Sequence, residues 1–166
     1  MKICVNAGHT RFGQGTGANG YLNESTETRK IAYEVMKLLA DSKHEVIPAV
    51  FDRSANNLKE AVQLANDEGV DLFVSIHLNA GGGSGCEAYT WKGKQVAQAV
   101  KACSYLKMLG FKNRGVKDGS NLYVIKNTKA TAILIEVCFV DSKADAELFK
   151  KVGYEKIAQA ICKAIV

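Results

Sequence analysis

No run of apolar residues in this chain approaches the roughly 20 needed to cross a bilayer, which excludes a membrane-spanning helix. The N-terminus, Met1-Lys2-Ile3-Cys4-Val5-Asn6, enters a strand pattern directly, without the basic segment, apolar stretch and cleavage site of a secretory signal. A protein of this kind that works outside the cell has to be carried there by something other than its own N-terminus. There is no C-x-x-C pair, and the five cysteines (Cys4, Cys86, Cys103, Cys138, Cys162) are odd in number, which argues against a disulfide framework or a sulfur-held metal. Four of them fall in strand-like or apolar helical runs, where a free thiol serves as a small hydrophobe. Linkers, internal repeats and low-complexity tails are also missing, so no domain boundary is expected within residues 1–166. The net charge of +5 is carried by scattered lysines rather than a stripe interleaved with aromatics. That pattern suits attraction to an anionic surface and not sequence-specific reading of nucleic acid.

What is present is a regular alternation. At 166 residues the chain is long enough to bury a core unaided. Strand patterns at about 2–7, 45–50, 71–77, 86–91, 122–126 and 131–137 are interleaved with helical ones. The first helix, near 24–41, repeats Ile31, Val35, Leu38 and Leu39 on one face. The only proline, Pro48, marks its strand as an edge, and Gly69 suits a left-handed helix cap. Residues 71–77 are almost continuously apolar, as in a strand buried on both faces. The expected fold is α/β: a three-layer sandwich with a twisted, mostly parallel sheet of about six strands and helices on both faces.

Against this background four polar residues stand out. His9 lies just past the first strand, His77 ends the 71–77 run, Glu24 opens the first helix, and Glu136 interrupts Ala132-Ile133-Leu134-Ile135-Glu136-Val137-Cys138. Ligands of open α/β sheets gather beyond the carboxyl ends of the strands, so these residues converge on one rim. Two imidazoles and one carboxylate form a zinc-binding set that leaves a position open. An unliganded carboxylate beside such a set is the base of metal-assisted hydrolysis. Of the three histidines only His44, in a turn, falls outside this group. Asn6, Ser75 and Asn79 are candidates to support the ligands or touch substrate.

Other readings compete. Glu136 could be neutralised by a nearby lysine or arginine. Gly15-Thr16-Gly17-Ala18-Asn19-Gly20 fits G-x-G-x-x-G, but a dinucleotide fingerprint starts at the strand's end, whereas here Gly8 to Gln14 intervene; a mobile loop edging the cleft fits better. Cys138 could act as a nucleophile with His77 as its base, although no helix N-terminus lowers its pKa. A non-catalytic module that keeps the fold, or a zinc peptidase cutting within a peptide, would share many of these features.

Taken together, Val5-Asn6-Ala7-Gly8-His9, Glu24, Val74-Ser75-Ile76-His77-Leu78-Asn79-Ala80 and Leu134-Ile135-Glu136-Val137-Cys138-Phe139-Val140 resemble the zinc-dependent N-acetylmuramoyl-L-alanine amidases of the type-3 family. The resemblance covers essentially the whole chain, including Arg114-Gly115-Val116-Lys117 and Leu122-Tyr123-Val124-Ile125. It implies one Zn²⁺ held by His9, Glu24 and His77, with Glu136 as general base and acid. The reaction implied is cleavage of the amide between the muramic acid lactyl group and the L-alanine of the peptidoglycan stem peptide. Asp141 stands where relatives usually carry Asn, and Ala61 where many carry Arg. The short form looks most like a bacteriophage endolysin catalytic domain or a sporulation-type relative. That implies a monomer made in the host cytoplasm and acting on the bacterial cell wall after release, with peptidoglycan as its partner and neither nucleic acid nor membrane insertion involved.

Overall fold

The alternation of periods becomes an alternation of elements in the computed structural model, which describes residues 1–166. Six strands, β1 (Lys2–Ala7), β2 (Glu45–Ala49), β3 (Leu72–Asn79), β4 (Cys86–Thr90), β5 (Asn113–Asp118) and β6 (Thr131–Phe139), are interleaved with six helices. These are α1 (Glu24–Asp41), α2 (Asn57–Glu68), α3 (Ala97–Met108), α4 (Tyr123–Asn127), α5 (Lys143–Val152) and α6 (Tyr154–Ile165). The strands form one sheet in the order β2-β1-β3-β6-β4-β5. Every neighbouring pair is parallel except β4 and β6. Pro48 lies on the edge strand β2, where its missing N–H leaves no inner ladder bond unmade.

Side-chain alternation divides the strands between two cores. Ile3, Val5, Val74, Ile76, Ile133 and Ile135 pack beneath α1, α3, α5 and α6 in the larger core. Cys4, Phe73, Ala132 and Leu134 pack beneath α2 and α4 in a smaller one. The three-layer sandwich follows. By the same parity Asn6, Ser75, His77 and Glu136 face the side of the smaller core, toward the carboxyl ends of β1, β3 and β6. α2 and the five-residue α4 cover this face of the sheet.

Helix boundaries follow their local signals. The Asn23 side chain caps α1 by accepting from Thr26 N, and Glu24 and Glu27 occupy the first turn, where the helix dipole favours acids. Gly69 caps α2 with φ of 62°.

One expected strand fails and an unexpected one takes its place. Residues 122–126 are not a strand, because Tyr123–Asn127 is helical. Its β-branched pair Val124 and Ile125 is buried together in the smaller core, and Asn127 Nδ2 and Thr128 Oγ1 bond back to the carbonyls of Tyr123 and Val124. The sixth strand is instead β5, whose polar, glycine-containing sequence Asn113-Arg114-Gly115-Val116-Lys117-Asp118 hides it; it lies at the sheet edge, half-exposed along most of its length.

Candidate metal and catalytic site

The structure brings His9, Glu24 and His77 together, one ligand atom from each lying within 4.8 Å of the others. His9 sits in the left-handed region at φ 67°, an uncommon conformation for a non-glycine residue. Its turn is held by the buried Arg29, which donates to the carbonyls of His9 (3.2 Å), Phe51 (2.7 Å) and Ser25 (2.8 Å). Glu24 is the first residue of α1 and is buried. Its Oε1 lies 3.1 Å from both His9 Nε2 and His77 Nδ1 and accepts from Leu78 N, while Oε2 accepts from Ala18 N at 2.8 Å. The imidazole rings meet edge to face with centroids 5.0 Å apart. Close glycines make this approach possible. A Cβ on Gly8 would stand 2.5 Å from the His77 ring, and one on Gly17 would stand 2.7 Å from Glu24 Oε2.

Hydrogen bonds outside the trio assign the imidazole tautomers. Asn6 Nδ2 donates to Ala49 O (2.7 Å), which turns Asn6 Oδ1 toward the Ser75 hydroxyl, and that hydroxyl donates to it at 2.7 Å. With its proton so used, Ser75 Oγ accepts from His77 Nε2 at 3.1 Å. His77 Nδ1 therefore carries a lone pair toward Glu24. His9 is the mirror case, since Nδ1 donates to Gly15 O at 3.1 Å and Nε2 is left facing inward. Two nitrogen lone pairs and a carboxylate oxygen thus converge with no proton assigned between them. They repel unless a cation sits among them, and this donor set suits a borderline-soft divalent ion.

Without a cation the trio titrates in a divided way: His77 stays neutral, whereas Glu24 draws a proton toward His9, which a bound cation would have to displace. Burial is the strongest influence on His77 and holds it below the ordinary imidazole value, which favours the neutral ring. Burial pulls His9 the same way, but the bond to and charge of Glu24 bring it above the usual value. Burial alone would raise Glu24, yet the bonds from His77 and His9 together hold it well below the ordinary carboxylate range.

Glu136 is the register partner of His77 on β3 and of Glu87 on β4, so three polar side chains cross the sheet in one row. Its Oε2 is shielded from solvent and has no hydrogen-bond partner. Neutralisation of Glu136 by a basic side chain is not what the structure shows. Arg114 Nε and Lys117 Nζ both lie 2.6 Å from Glu87 Oε2. Tyr89 Oη and Asn79 Nδ2 donate to Glu87 Oε1 at 2.7 and 2.8 Å. The two neighbouring carboxyls are consequently driven apart. Burial would raise Glu87, but these bonds hold it near 2. Burial, then the charges of Glu24 and Glu87, pushes Glu136 up to about 8. The sequence reading missed Glu87 and Arg29. Glu87 alternates with apolar Cys86 and Ala88 and so reads as an ordinary solvent-facing strand position; Arg29 carries no signal apart from its place on α1.

The remaining sequence candidates find other places. Cys138 is fully buried in the larger core, and burial with nearby Asp145 and Glu136 raises its thiol far above the ordinary value, which removes it as a nucleophile. All five cysteines are buried and free. The Gly15–Gly20 segment is no phosphate cradle: through Gly15 O and Ala18 N it wraps the trio. Gly81-Gly82-Gly83-Ser84-Gly85, whose composition predicts a flexible loop, is instead anchored. Asp141 accepts from Gly81 N and Gly82 N at 2.8 Å, and Asp145 accepts from Gly85 N at 2.8 Å.

A two-histidine, one-carboxylate cluster on the rim of an α/β sheet, with an unpaired carboxyl beside it, is the arrangement of metal-assisted hydrolases. The chain belongs to the N-acetylmuramoyl-L-alanine amidase family, whose profile matches residues 3–166. It is 35% identical over 176 residues to an uncharacterized protein of Clostridium perfringens, covering 99% of this chain and 51% of that one. It is 32% identical over 160 residues to the endolysin of Bacillus phage SPP1, covering 90% of this chain and 58% of the endolysin. The chain thus spans little more than half the length of these relatives. Among solved structures, the catalytic domain of an endolysin targeting Clostridia difficile superposes with a TM-score of 0.90 at 32% identity, covering 99% and 96% of the two chains. The catalytic domain of CwlV, an N-acetylmuramoyl-L-alanine amidase from Bacillus (Paenibacillus) polymyxa, superposes with 0.86 at 29%, covering 99% and 95%.

Proposed function

We propose that residues 1–166 form a zinc-dependent amidase domain that hydrolyses the amide between the lactyl group of N-acetylmuramic acid and the L-alanine of the stem peptide in bacterial cell walls. The observation that carries this reading is the convergence of His9 Nε2, His77 Nδ1 and Glu24 Oε1 beside the unpartnered carboxyl of Glu136, in a chain of this family.

His9, Glu24 and His77 would hold the ion. Zinc, when bound, lowers the pKa of a water toward about 7 and polarises the carbonyl under attack. Glu136 takes the proton of the attacking water and delivers it to the alanine nitrogen, which cannot depart as a bare anion. A carboxyl raised to about 8 in the absence of a cation is suited to both halves of that task, because a neighbouring positive charge lowers it toward neutrality. Glu87, already bound to Arg114 and Lys117, is spent as a base; it fixes the wall of the cleft on the β4 side. The relay Asn6–Ser75 holds His77 in the tautomer that presents Nδ1.

Supporting a role at the wall are a relative named as an N-acetylmuramoyl-L-alanine amidase, from Bacillus licheniformis, and a phage endolysin. No helix is long and apolar enough to cross a membrane. The deciding experiment is digestion of purified walls followed by end-group analysis. New N-terminal alanine, lost on chelation and restored by zinc, is expected. New termini at other stem positions would identify a peptidase instead.

A further inference from the structure

Of the five exposed aromatics, Tyr21 and Tyr33 (56% and 55% exposed) stand apart, and three share one face. Phe12, Trp91 and Tyr123 are 46%, 37% and 42% exposed. All three line a single series of concavities on the face bearing α2 and α4. The first lies between Phe12 and Arg53, three residues beyond His9, and reaches Ala55. Ala55 also borders the next, which contains Lys59 and Tyr123. Those two residues border a third, which extends to Lys129. Lys129 in turn borders a cavity of about 370 Å³ floored by the buried Thr90, Ile125 and Ala132 and edged by Trp91, Lys94 and Lys126. Each concavity shares a lining residue with the next, so the four form a row across this face. It leads from the rim of the metal site toward Thr131, roughly 17 Å from Glu136 along β6 at about 3.3 Å per residue.

The chemistry of the row is consistent along its length. Arg53, Lys59, Lys94, Lys126 and Lys129 form no ion pair. Asp67 is the one acid lining it. Two of its aromatics, Phe12 and Trp91, are held in place. Phe12 lies between the guanidiniums of Arg11 and Arg53, each 5.1 Å from the ring centroid, and its backbone N–H donates to Asp52 O. Trp91 opens a 3₁₀ turn fixed by Thr90 Oγ1 donating to Lys94 O and Lys92 N donating to Ser120 Oγ. Flat apolar faces alternating with unpaired cations suit a chain of rings that carries anions at intervals.

We infer that this row of concavities binds the glycan strand after it has been cut. This rests on the amidase reading. Water adds across the lactyl amide, the C–N bond breaks, alanine leaves as an ammonium terminus, and the lactyl group stays on the sugar as a carboxylate. Each turnover therefore adds one negative charge to the glycan. The aromatics stack on sugar faces, the cations meet the new lactyl carboxylates, and the cleaved stretch stays attached while the next stem peptide reaches the metal site.

Peptide-free glycan strands several disaccharides long carry these carboxylates and no scissile amide, so their binding to the zinc-loaded wild-type chain can be followed by calorimetry. Binding that weakens with salt is expected. Trp91→Ala should weaken it about 3–10-fold, the usual worth of one stacked aromatic. Lys126→Glu with Lys129→Glu, both on the exposed surface, should weaken it by about 5-fold or more. Neither change should alter release of alanine from a single disaccharide-peptide. Strands whose lactyl carboxylates have been converted to amides should bind no better than these variants do. The inference is overturned if amidated strands bind as well as native ones, if the variants bind like wild type, or if polyglycerol phosphate binds more tightly than the strands. Failure of the amidase reading is separate: the chain would then release no N-terminal alanine from walls, whatever its affinity for strands.

Discussion

His77 and Glu136 stand opposite each other as register partners across the β3–β6 ladder, and immediately beyond them the pairing slips before Asn79 meets Phe139. One residue of the pair presents a lone pair to the proposed metal position and the other an unpartnered carboxyl. Their separation is therefore set by backbone hydrogen bonds rather than by a flexible loop, which gives the proposed base a fixed approach to the reacting water.

Replacing Glu136 with Gln should leave metal content at one ion per chain and lower release of N-terminal alanine by about 10²–10⁴-fold, the usual contribution of a positioned acid–base group. Elemental analysis and an end-group assay on the same sample give the two numbers. Loss of metal from this variant would move Glu136 into the ligand set.

His9→Ala and His77→Ala should lose metal and activity together. A readout independent of turnover is melting temperature. Zinc at about 100 times its Kd contributes about 2.7 kcal/mol, a rise of roughly 5–11 °C for a chain of this size. Wild type should show it and both variants should not.

Metal-free protein should become less stable as pH rises. Glu136 has a folded-state pKa of about 8, above its ordinary value of 4.5. Between these values the folded state keeps a proton that the unfolded state has released, so unfolding becomes easier as pH increases, and the effect levels off above about 8. Glu136→Gln removes this contribution. Denaturant titrations of the metal-free chains at pH 5 and pH 8.5 should show the variant gaining on wild type by about 1–3 kcal/mol at the higher pH. Parallel curves would mean that Glu136 is ionised in the fold.

Ser75→Ala breaks the relay from Asn6 to His77 and frees the ring to change tautomer. Metal affinity should fall about 10–100-fold, as is usual when the support of a ligand is removed, with folding intact. Competition against a fluorescent chelator measures it.

Gly17→Ala should be more severe than its size suggests. The position has φ of 79°, and the added methyl would meet both Glu24 Oε2 and the His9 ring. Strain and steric conflict fall on the ligands themselves, so loss of metal binding is expected even if the circular dichroism spectrum is retained.

Much of this site was legible because its residues contradict their surroundings. Glu136 is a charge within an apolar run, and His9 and His77 follow strands closely enough to share a rim. Strand parity and register then place His77 and Glu136 on one face, while His9, past the end of β1, reaches them through its left-handed turn. Glu87 was invisible for the opposite reason, since its alternation with Cys86 and Ala88 matches an exposed strand position. Only the antiparallel pairing of β4 with β6, a long-range event, turns it inward beside Glu136. Tyr123–Asn127 misled because its β-branched and aromatic residues carry strand preference, whereas burial of Val124 and Ile125 against the sheet and two side-chain bonds to the backbone decide for a helical turn. His9's left-handed backbone likewise has no local signature; it depends on Arg29, distant in sequence and reaching its carbonyl.

The opposed tautomers of the two histidines carry a spectroscopic consequence. His9 offers Nε2 and His77 offers Nδ1. In a nitrogen-15-labelled sample the two rings should respond to zinc at chemically different nitrogens, each leaving its other N–H protected from exchange by a carbonyl in one case and a serine hydroxyl in the other. Assembly of the centre would then be visible atom by atom without any substrate. A variant that captures the ion through the wrong nitrogen would be distinguishable from one that fails to capture it at all.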